Sequence, residues 1–452
     1  MLLFNLVRSR ISAGFYSLSA YYHSPMVQLG QVVFPLIMVA VFYLSGFYNS
    51  PVRRSRMQDL LLTAGACVAG TLLIVFSVLI DDLSRDRTRD YQLFATLFLL
   101  LFGCVWPPRL AIASVISRHL RAGHIYTPIA IVGYGSRPDD FERQLNRLRP
   151  WMGYKPIALL SIDGAAPVGS GRIGEMPVEA CPDIAARCAA LGVRSVILLP
   201  HPSGEWTANL MPLRQLMPLC IPVMMPWDGL GTAPIRYARH LDVSTDPLVT
   251  LNCANISPST QNLKRCADIL LSGVALTISI VPLLLLGLGV RLTTGDSPLY
   301  RQKRLGLGGK PFTIYKLRTM RANSEPDGQP RLSSASDSRI TPIGAFMRKY
   351  RLDEMPQFWN VLRGDMSLVG PRPEREFFAR QIIERAPSYL QLYQVRPGIT
   401  SWGMIKYGYA TTVDQMLERM RYDMLYVDNI SMLLDLKILF YTFHTVITGK
   451  GL

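Results

Sequence analysis

Between Ile269 and Val290 the chain carries an almost unbroken apolar run, and both of its flanks are basic. Lys264 and Arg265 precede it; Arg291, Arg301, Lys303 and Arg304 follow. A run of this length reaches across a lipid bilayer. Basic residues on both sides place both ends on the cytoplasmic face. A segment that enters the membrane, breaks and returns satisfies both constraints. Pro282 removes one backbone hydrogen bond and bends a helix, and Ser279 can satisfy a freed carbonyl. The expectation is a re-entrant helix over residues 264–291, broken at Ser279 to Pro282, with a straight span as the alternative.

Three further apolar segments lie upstream, over residues 27–48, 60–80 and 91–106. Arg53, Arg54 and Arg56 mark a cytoplasmic loop after the first, and Arg109, Arg118, His119 and Arg121 return the chain to that face after the third. The mixed-sign stretch 81–90 suits the outer face. The third span can run on past Pro107 and Pro108. Three spans leave residues 1–25 on the outer side with Arg8 and Arg10, so residues 2–22 read as a weak additional span, with an interfacial helix as the other reading. Met1 to Val7 is too short an apolar stretch for a cleavable signal peptide.

Composition agrees with a few membrane segments joined to soluble domains: 49% of the residues are hydrophobic and the net charge is +16. Beside apolar spans, that charge fits an anionic membrane surface and an anionic substrate better than nucleic acid. The seven cysteines contain no C-x-x-C pair and read as reduced packing residues, giving neither a disulfide frame nor a zinc site.

Residues 127–250 alternate strand and helix patterns, the signature of a parallel α/β sheet. Strands are expected at Ile129 to Val132, Ile157 to Ile162 and Val193 to Leu199, and helices at about Pro138 to Arg149 and Ala180 to Leu191. Gly133-Tyr134-Gly135 follows the first strand, but Pro138 stands where a dinucleotide fingerprint needs its third glycine. A Rossmann-like fold without a cofactor is the reading.

Residues 348–373 concentrate the chemistry. Asp353 and Glu354 are adjacent, Pro356 follows, and an apolar helical run through Phe358, Trp359, Val361 and Leu362 closes at Gly364 before a Gly370-Pro371-Arg372-Pro373 turn. Proline fits the first helical turn, so the two acids sit at a helix N-terminus, where a carboxylate stays ionised and can serve as N-cap. A capped helix would be the plain reading. Arg348, Lys349, Arg351, Arg363, Arg372 and Arg375 lie within about one helix length. Cations around two acids point to a polyanion site, with the acids acting on the ligand or holding a metal.

The order Leu352-Asp353-Glu354-Met355-Pro356-Gln357, Asn360-Val361-Leu362 and Gly364-Asp365-Met366-Ser367-Leu368-Val369-Gly370-Pro371-Arg372-Pro373 resembles the catalytic core of the bacterial sugar transferases, the polyprenyl-phosphate sugar-1-phosphate transferases. Tyr315-Lys316-Leu317-Arg318-Thr319-Met320, Arg396-Pro397-Gly398-Ile399-Thr400-Ser401-Trp402, Tyr422-Asp423 with Tyr426, and Leu434-Asp435-Leu436-Lys437-Ile438 extend it. Ser401 stands where many relatives have glycine.

The resemblance implies a membrane protein with α-helical N-terminal spans, an α/β Rossmann-like domain and a mainly α-helical monotopic catalytic domain with a re-entrant helix. The boundaries would be residues 1–122, 123–252 and 253–452. It implies transfer of a sugar-1-phosphate from a nucleotide diphosphate sugar, most often a UDP-hexose, to polyprenyl phosphate, the first membrane step of exopolysaccharide, capsule or O-antigen synthesis. Asp353 would be the nucleophile, Glu354 a base or metal ligand, and Mg²⁺ the cofactor, held through Asp353 and Glu354 with substrate phosphates. Arg372 would clamp the nucleotide phosphate. With the acid pair, Lys303, Arg304, Lys316, Arg318 and Arg348 would line a pocket for a diphosphate and a lipid phosphate. Residues 323–338, rich in Ser, Asp and Pro, would form a lid. Residues 430–447, apolar at helical spacing, would lie in the interface against membrane lipids. The implied place is the bacterial inner membrane with the catalytic domain facing the cytoplasm, as a monomer or homo-oligomer. A membrane-anchored epimerase would need a second glycine fingerprint and a Tyr-x-x-x-Lys pair, and neither follows residue 250. A non-catalytic scaffold for polysaccharide assembly would leave the acid pair without a task. The donor sugar is not legible.

Overall fold

The structure is a computed structural model. It describes residues 23, 25–49, 56–77, 87–134, 138–148, 153–162, 172–173, 176–203, 209–219, 221–226, 248–251, 256–321 and 337–449. The readings for residues 2–22, most of the loop at 81–90, residues 135–137 of the glycine turn and nearly all of the 323–338 lid lie outside these residues. The chain divides into two compact units, residues 1–125 with 257–263, and residues 126–256 with 264–452.

Among the described residues of the first unit are three apolar helices that lie wholly within it: α1 (Pro25–Leu44), α2 (Arg56–Ser77) and α3 (Arg87–Arg121). Each is long and apolar enough to cross a membrane. The third continues through Pro107 and Pro108. Phe34, Met38, Cys67, Ile74 and Leu97 form its core. At Gly70 the Met38 side chain of α1 packs against the backbone of α2: a Cβ there would meet its sulfur at 2.2 Å, so any larger residue would have to displace the methionine. Asp59, in the first turn of α2, accepts from Arg109 of α3 at 2.8 Å, and the guanidinium covers the Phe47 ring at 3.7 Å. An ion pair of this kind is tolerable away from water because both charges are matched.

The second unit begins with a seven-stranded sheet in the order β3-β4-β2-β1-β5-β6-β7. Its strands are β1 (Thr127–Gly133), β2 (Tyr154–Ser161), β3 (Arg172–Ile173), β4 (Met176–Ala180), β5 (Ser195–Leu198), β6 (Val223–Pro226) and β7 (Leu248–Thr250). The β1, β2, β4, β5 and β6 neighbours pair in parallel, as the alternation of elements requires; the two edge strands β3 and β7 pair antiparallel. Helices α4 (Pro138–Arg147), α5 (Ile184–Ala190) and α6 (Leu210–Leu216) connect them. One expectation is corrected: residues 180–183 are not helical. Ala180 ends β4, and Asp183 starts α5 by accepting the Ala186 N–H at 3.0 Å, so capping rather than apolar periodicity sets that boundary.

Helix α7 (Pro258–Thr294) is assigned without interruption, with Pro282 inside it. No gap in the helix occurs at Ser279 to Pro282; a proline within a helix forfeits one hydrogen bond and leaves the rest of the ladder in place. A hairpin follows, β8 (Leu299–Leu305) against β9 (Pro311–Leu317), turning at the 3₁₀ segment Leu307–Gly309. Then come α8 (Pro342–Lys349), the 3₁₀ turn Leu352–Glu354, α9 (Gln357–Arg363), β10 (Ser367–Val369), α10 (Glu376–Arg385), the 3₁₀ stretch Pro387–Gln394, β11 (Gly398–Thr400), α11 (Trp402–Lys406), α12 (Val413–Asp428) and α13 (Met432–Ile447). The C-terminal part is mostly helical. Its apolar core is continuous with one face of the α/β sheet: Leu213, Leu216 and Met217 share a buried cluster with Leu390, Leu392 and Tyr393. Gln394 seals the seam by donating to the Leu251 carbonyl at 3.1 Å.

Candidate active site

The acid pair sits between two short helices that meet at an unusual backbone. Helix α8 opens on Thr341, whose hydroxyl accepts the Gly344 N–H, and closes at Tyr350. Arg351 then takes φ 53°, and among the described residues it alone adopts positive φ without being glycine. Helices commonly end on such a residue, and glycine usually fills it. Here the reversal carries an arginine and turns the chain into the Leu352–Glu354 turn. Pro356 then precedes α9, and Gly364 at φ 98° ends it. The carboxylates are not N-caps: α9 has no side-chain cap. The reason is that Pro356 itself holds the cap position, while Asp353 and Glu354 lie in the preceding turn.

Glu354 is 5% exposed. Its Oε1 accepts from Lys316 Nζ at 2.9 Å and lies 3.9 Å from Arg372, while Oε2 lies 3.7 Å from Arg351. Burial opposes ionisation, but Lys316, Arg351 and Arg372 together outweigh it and hold this carboxyl down at about 2. Asp353 differs. No ion pair reaches it among the described residues. Burial pushes its carboxyl up to about 6, and the neighbouring Glu354 charge adds to the rise, while Lys316 and Arg348 act against it. Two adjacent acids thus have opposite environments: one is locked by cations, the other is held with a more basic carboxylate.

The frame around them is made of main chain and amides. Asn360, fully buried, donates to the Thr313 carbonyl at 2.8 Å and accepts the Tyr315 N–H at 3.2 Å, fixing α9 to β9 so that Lys316 faces Glu354. Strands β10 and β11 pair in parallel, Ser367 with Gly398 and Val369 with Thr400. Asp423 accepts the Gly403 N–H at 2.8 Å and the Arg372 N–H at 3.5 Å, holding the Gly-Pro-Arg-Pro turn against α11. The first part of α7 is stitched to the same segment. Arg265 donates to the Val361 and Leu362 carbonyls at the end of α9, Asp268 accepts the Leu368 N–H, and Lys264 reaches both the Val369 carbonyl and Asp435. The last part of α7 packs Val290 with Leu317 and Met347.

The structure therefore brings together Asp353, Glu354, Lys316, Arg348 and Arg372. Arg348 reaches the site from α8, its Nε held by the Thr319 hydroxyl at 2.9 Å. Arg304 lies next door, donating to the Pro373 carbonyl and 3.5 Å from Glu374; burial lowers its guanidinium to about 10. Arg318 is placed elsewhere, donating to the Ser297 carbonyl at 2.8 Å, and Lys303 is exposed on the hairpin. Two neighbours were not singled out from the sequence. Arg351 appeared only as one cation among many, because nothing in a sequence marks a left-handed arginine. Tyr409, whose ring lies 5.4 Å from the Arg351 guanidinium and 5.5 Å from that of Arg372, carries no local signal.

For Mg²⁺ the donor set is limited: among the described residues no three His, Cys, Asp or Glu side chains cluster as metal ligands. Two carboxylates with one free of ion pairs fit a Mg²⁺ that takes its remaining ligands from substrate phosphates and water, the usual arrangement for this ion.

The profile of the bacterial sugar transferase family matches residues 259–449. A protein of Xanthomonas campestris pv. campestris named UDP-glucose:undecaprenyl-phosphate glucose-1-phosphate transferase is 35% identical over 429 residues, covering 92% of this chain and 86% of that protein. An Aeromonas hydrophila protein named UDP-N-acetylgalactosamine-undecaprenyl-phosphate N-acetylgalactosaminephosphotransferase is 39% identical over 195 residues, 43% of this chain and 46% of its own length. An Escherichia coli K12 protein named UDP-glucose:undecaprenyl-phosphate glucose-1-phosphate transferase is 35% identical over 234 residues, 51% of this chain and 50% of that protein. The match thus spans about half the length of the last two. The acid pair, the lysine on β9 and the Gly-Pro-Arg-Pro turn all lie inside the matched regions, and a relative aligned over nine-tenths of the chain carries the assignment to its whole length: this chain belongs to the bacterial sugar transferase family.

Proposed function

We propose that this chain transfers a sugar-1-phosphate from a nucleotide diphosphate sugar, of the UDP-hexose class, to polyprenyl phosphate. The observation that carries the reading is the asymmetry of the acid pair. Asp353 is buried, made more basic and left without an ion pair, while Glu354 is fixed by Lys316, Arg351 and Arg372. In the first step an Asp353 oxygen attacks the phosphorus that bears the sugar. The bond from that phosphorus to the bridging oxygen breaks, and the nucleoside monophosphate leaves. In the second step an oxygen of polyprenyl phosphate attacks the same phosphorus and releases Asp353. Carboxylates serve as phosphoryl acceptors elsewhere, and phosphoryl transfer rests mostly on alignment and charge neutralisation. Arg372 and Arg348 supply positive charge for the donor's phosphates, and Lys316 keeps Glu354 ionised. Mg²⁺ bound through Asp353 or Glu354 would neutralise phosphate charge.

The lipid acceptor requires a site at the membrane surface, and three observations support one at the cytoplasmic face of the inner membrane. Both ends of α7 are docked on elements around the acids, yet its middle is bare: Ile278 is 72% exposed and Leu284 68%. A straight helix from Arg265 to Val290 would run about 38 Å, and a straight rod docked at both ends would lay its middle against the same body. A bowed, re-entrant course bent at Pro282 accounts for both. Secondly, α13 exposes Leu433, Leu436, Phe440, Phe443 and Ile447 at helical spacing, an apolar stripe suited to the lipid interface. Finally, the +16 charge favours an anionic leaflet.

The test uses purified full-length protein in nanodiscs with Mg²⁺, polyprenyl phosphate and a panel of UDP-sugars, with UMP release as the readout. UMP release that depends on the lipid acceptor, from one donor, and that is lost in Asp353→Asn is the expected result. Normal turnover by Asp353→Asn would remove Asp353 as nucleophile.

A further inference from the structure

On the side of α11 away from Arg372, two lysines share one aromatic platform. Lys406 Nζ lies 4.9 Å from the Trp402 ring centre and 5.7 Å from that of Tyr441; Lys437 Nζ lies 5.8 Å from Trp402. The two rings are 6.4 Å apart. Trp402 and Lys406 stand four residues apart on α11, as do Lys437 and Tyr441 on α13, so each pair occupies one helix face. Met404, between the first two, turns the opposite way and touches the Arg372 guanidinium at 2.9 Å. The platform is therefore separate from the reaction centre by the thickness of a helix.

Both ammonium groups are exposed, and among the described residues neither has a carboxylate partner. The nearest acid in sequence, Asp435, is buried and engaged by Lys264 at 2.6 Å. Two ammonium groups beside one indole offer an anion two charged donors at once. Their setting says which anion. Leu436 and Phe440, two members of the exposed apolar stripe of α13, flank Lys437 in sequence, so the pair of cations lies along the border of the surface that faces lipid. Tryptophan and tyrosine settle at the headgroup level of a bilayer, and lysine there keeps its stem in the apolar layer and its charge at the headgroups.

The geometry points to a lipid-phosphate seat, built by Lys406, Lys437, Trp402 and Tyr441, that holds the headgroup of an anionic phospholipid such as phosphatidylglycerol. The inference rests on the membrane reading of α13 but not on the identity of the reaction. The seat would fix the tilt and depth of the catalytic part on the bilayer, with the aromatic rings against the glycerol region and the two ammonium groups on the phosphate.

The experiment counts bound lipid, not turnover. Full-length protein in neutral detergent is titrated with phosphatidylglycerol or phosphatidylcholine, and retained lipids are counted by native mass spectrometry. Wild type should hold phosphatidylglycerol in preference to phosphatidylcholine. Lys406→Gln with Lys437→Gln should weaken that preference by about fivefold per lysine, and the double Lys→Arg variant should retain it. Unchanged phosphatidylglycerol retention in the double Gln variant overturns the seat. So does one-for-one displacement of phosphatidylglycerol by polyprenyl phosphate at these lysines, which would give the seat to the acceptor instead of the bilayer. UMP release, measured separately on the same variants, reports on the proposed reaction and can fail independently of the lipid count.

Discussion

At Lys316 one side chain decides the charge state of another. Its ammonium, 2.9 Å from Glu354, is the largest influence keeping that buried carboxylate ionised. Lys316→Met would leave Glu354 to Arg351 and Arg372 at longer range, and breaking a buried pair on one side costs about 3 kcal/mol or more. The expected outcome is a stability loss of that order by denaturant unfolding in detergent, with UMP release reduced roughly 100-fold. Asp423 provides a pH signature. Burial raises its carboxyl above the ordinary range despite Arg419 and the Gly403 N–H. A raised folded pKa means the native state binds the proton more tightly, so this group's contribution is full below the unfolded carboxylate value near 3.9 and declines as pH rises towards the folded value. Asp423→Asn removes that slope. Thermal midpoints of wild type minus variant should therefore fall as pH rises above the ordinary carboxylate value of about 3.9; a flat difference on the alkaline side of that value would show that Asp423 is not titrating with a raised pKa.

Among the elements, α7 and α13 are joined by one pair that can be broken from either side. Lys264 donates to Asp435 at 2.6 Å and to the Val369 carbonyl at 2.9 Å, and Tyr426 donates to the same carboxylate at 2.8 Å. Burial already raises the Asp435 carboxyl, opposed by Lys264. Lys264→Met leaves that acid buried without its cation. Asp435→Asn instead lifts the burial cost, keeps an acceptor for Tyr426 and leaves Lys264 the Val369 carbonyl. The methionine variant should be the less stable of the two by about 1–2 kcal/mol, read from urea unfolding of the two proteins side by side. Elements of this kind differ in how far the sequence announces them. Helix α9 is legible because Pro356 and Gly364 punctuate an apolar run, and the sheet strands β1, β2 and β5 are legible as short apolar runs. Strands β10 and β11 are not: each has three residues, and they meet across about 30 positions of chain with no periodicity to join them. In the site, the acids, Lys316, Arg348 and Arg372 could be named from motif and charge. Arg351, Tyr409 and the task of Asp423 depend on a backbone reversal and on contacts between distant segments.

For the molecule as a whole, the continuous core between the α/β sheet and the catalytic part makes them one mechanical body. The 3₁₀ segment Met217–Leu219 packs on the Leu307–Gly309 turn, which closes the hairpin whose far strand carries Lys316. Met217 is buried there. Met217→Glu would place an unpaired charge in that seam, costing several kcal/mol. Hydrogen exchange should quicken in both the α/β sheet and the β8–β9 hairpin, with a fall in UMP release; exchange confined to the sheet would show two independently stable parts. The glycine contacts around the site carry a different consequence. A Cβ at Gly370 would meet the Arg396 carbonyl oxygen at 2.4 Å, and one at Gly398 would meet the Gly370 nitrogen at 2.1 Å. The segment bearing the acids and the segment leading to α11 are thus pressed together peptide against peptide, with no side chain between them. A scaffold closed by backbone alone is indifferent to most substitutions around it. Side chains around the site can drift over generations, while the placement of the Gly370–Pro373 turn against residues 396–398 is inherited unchanged.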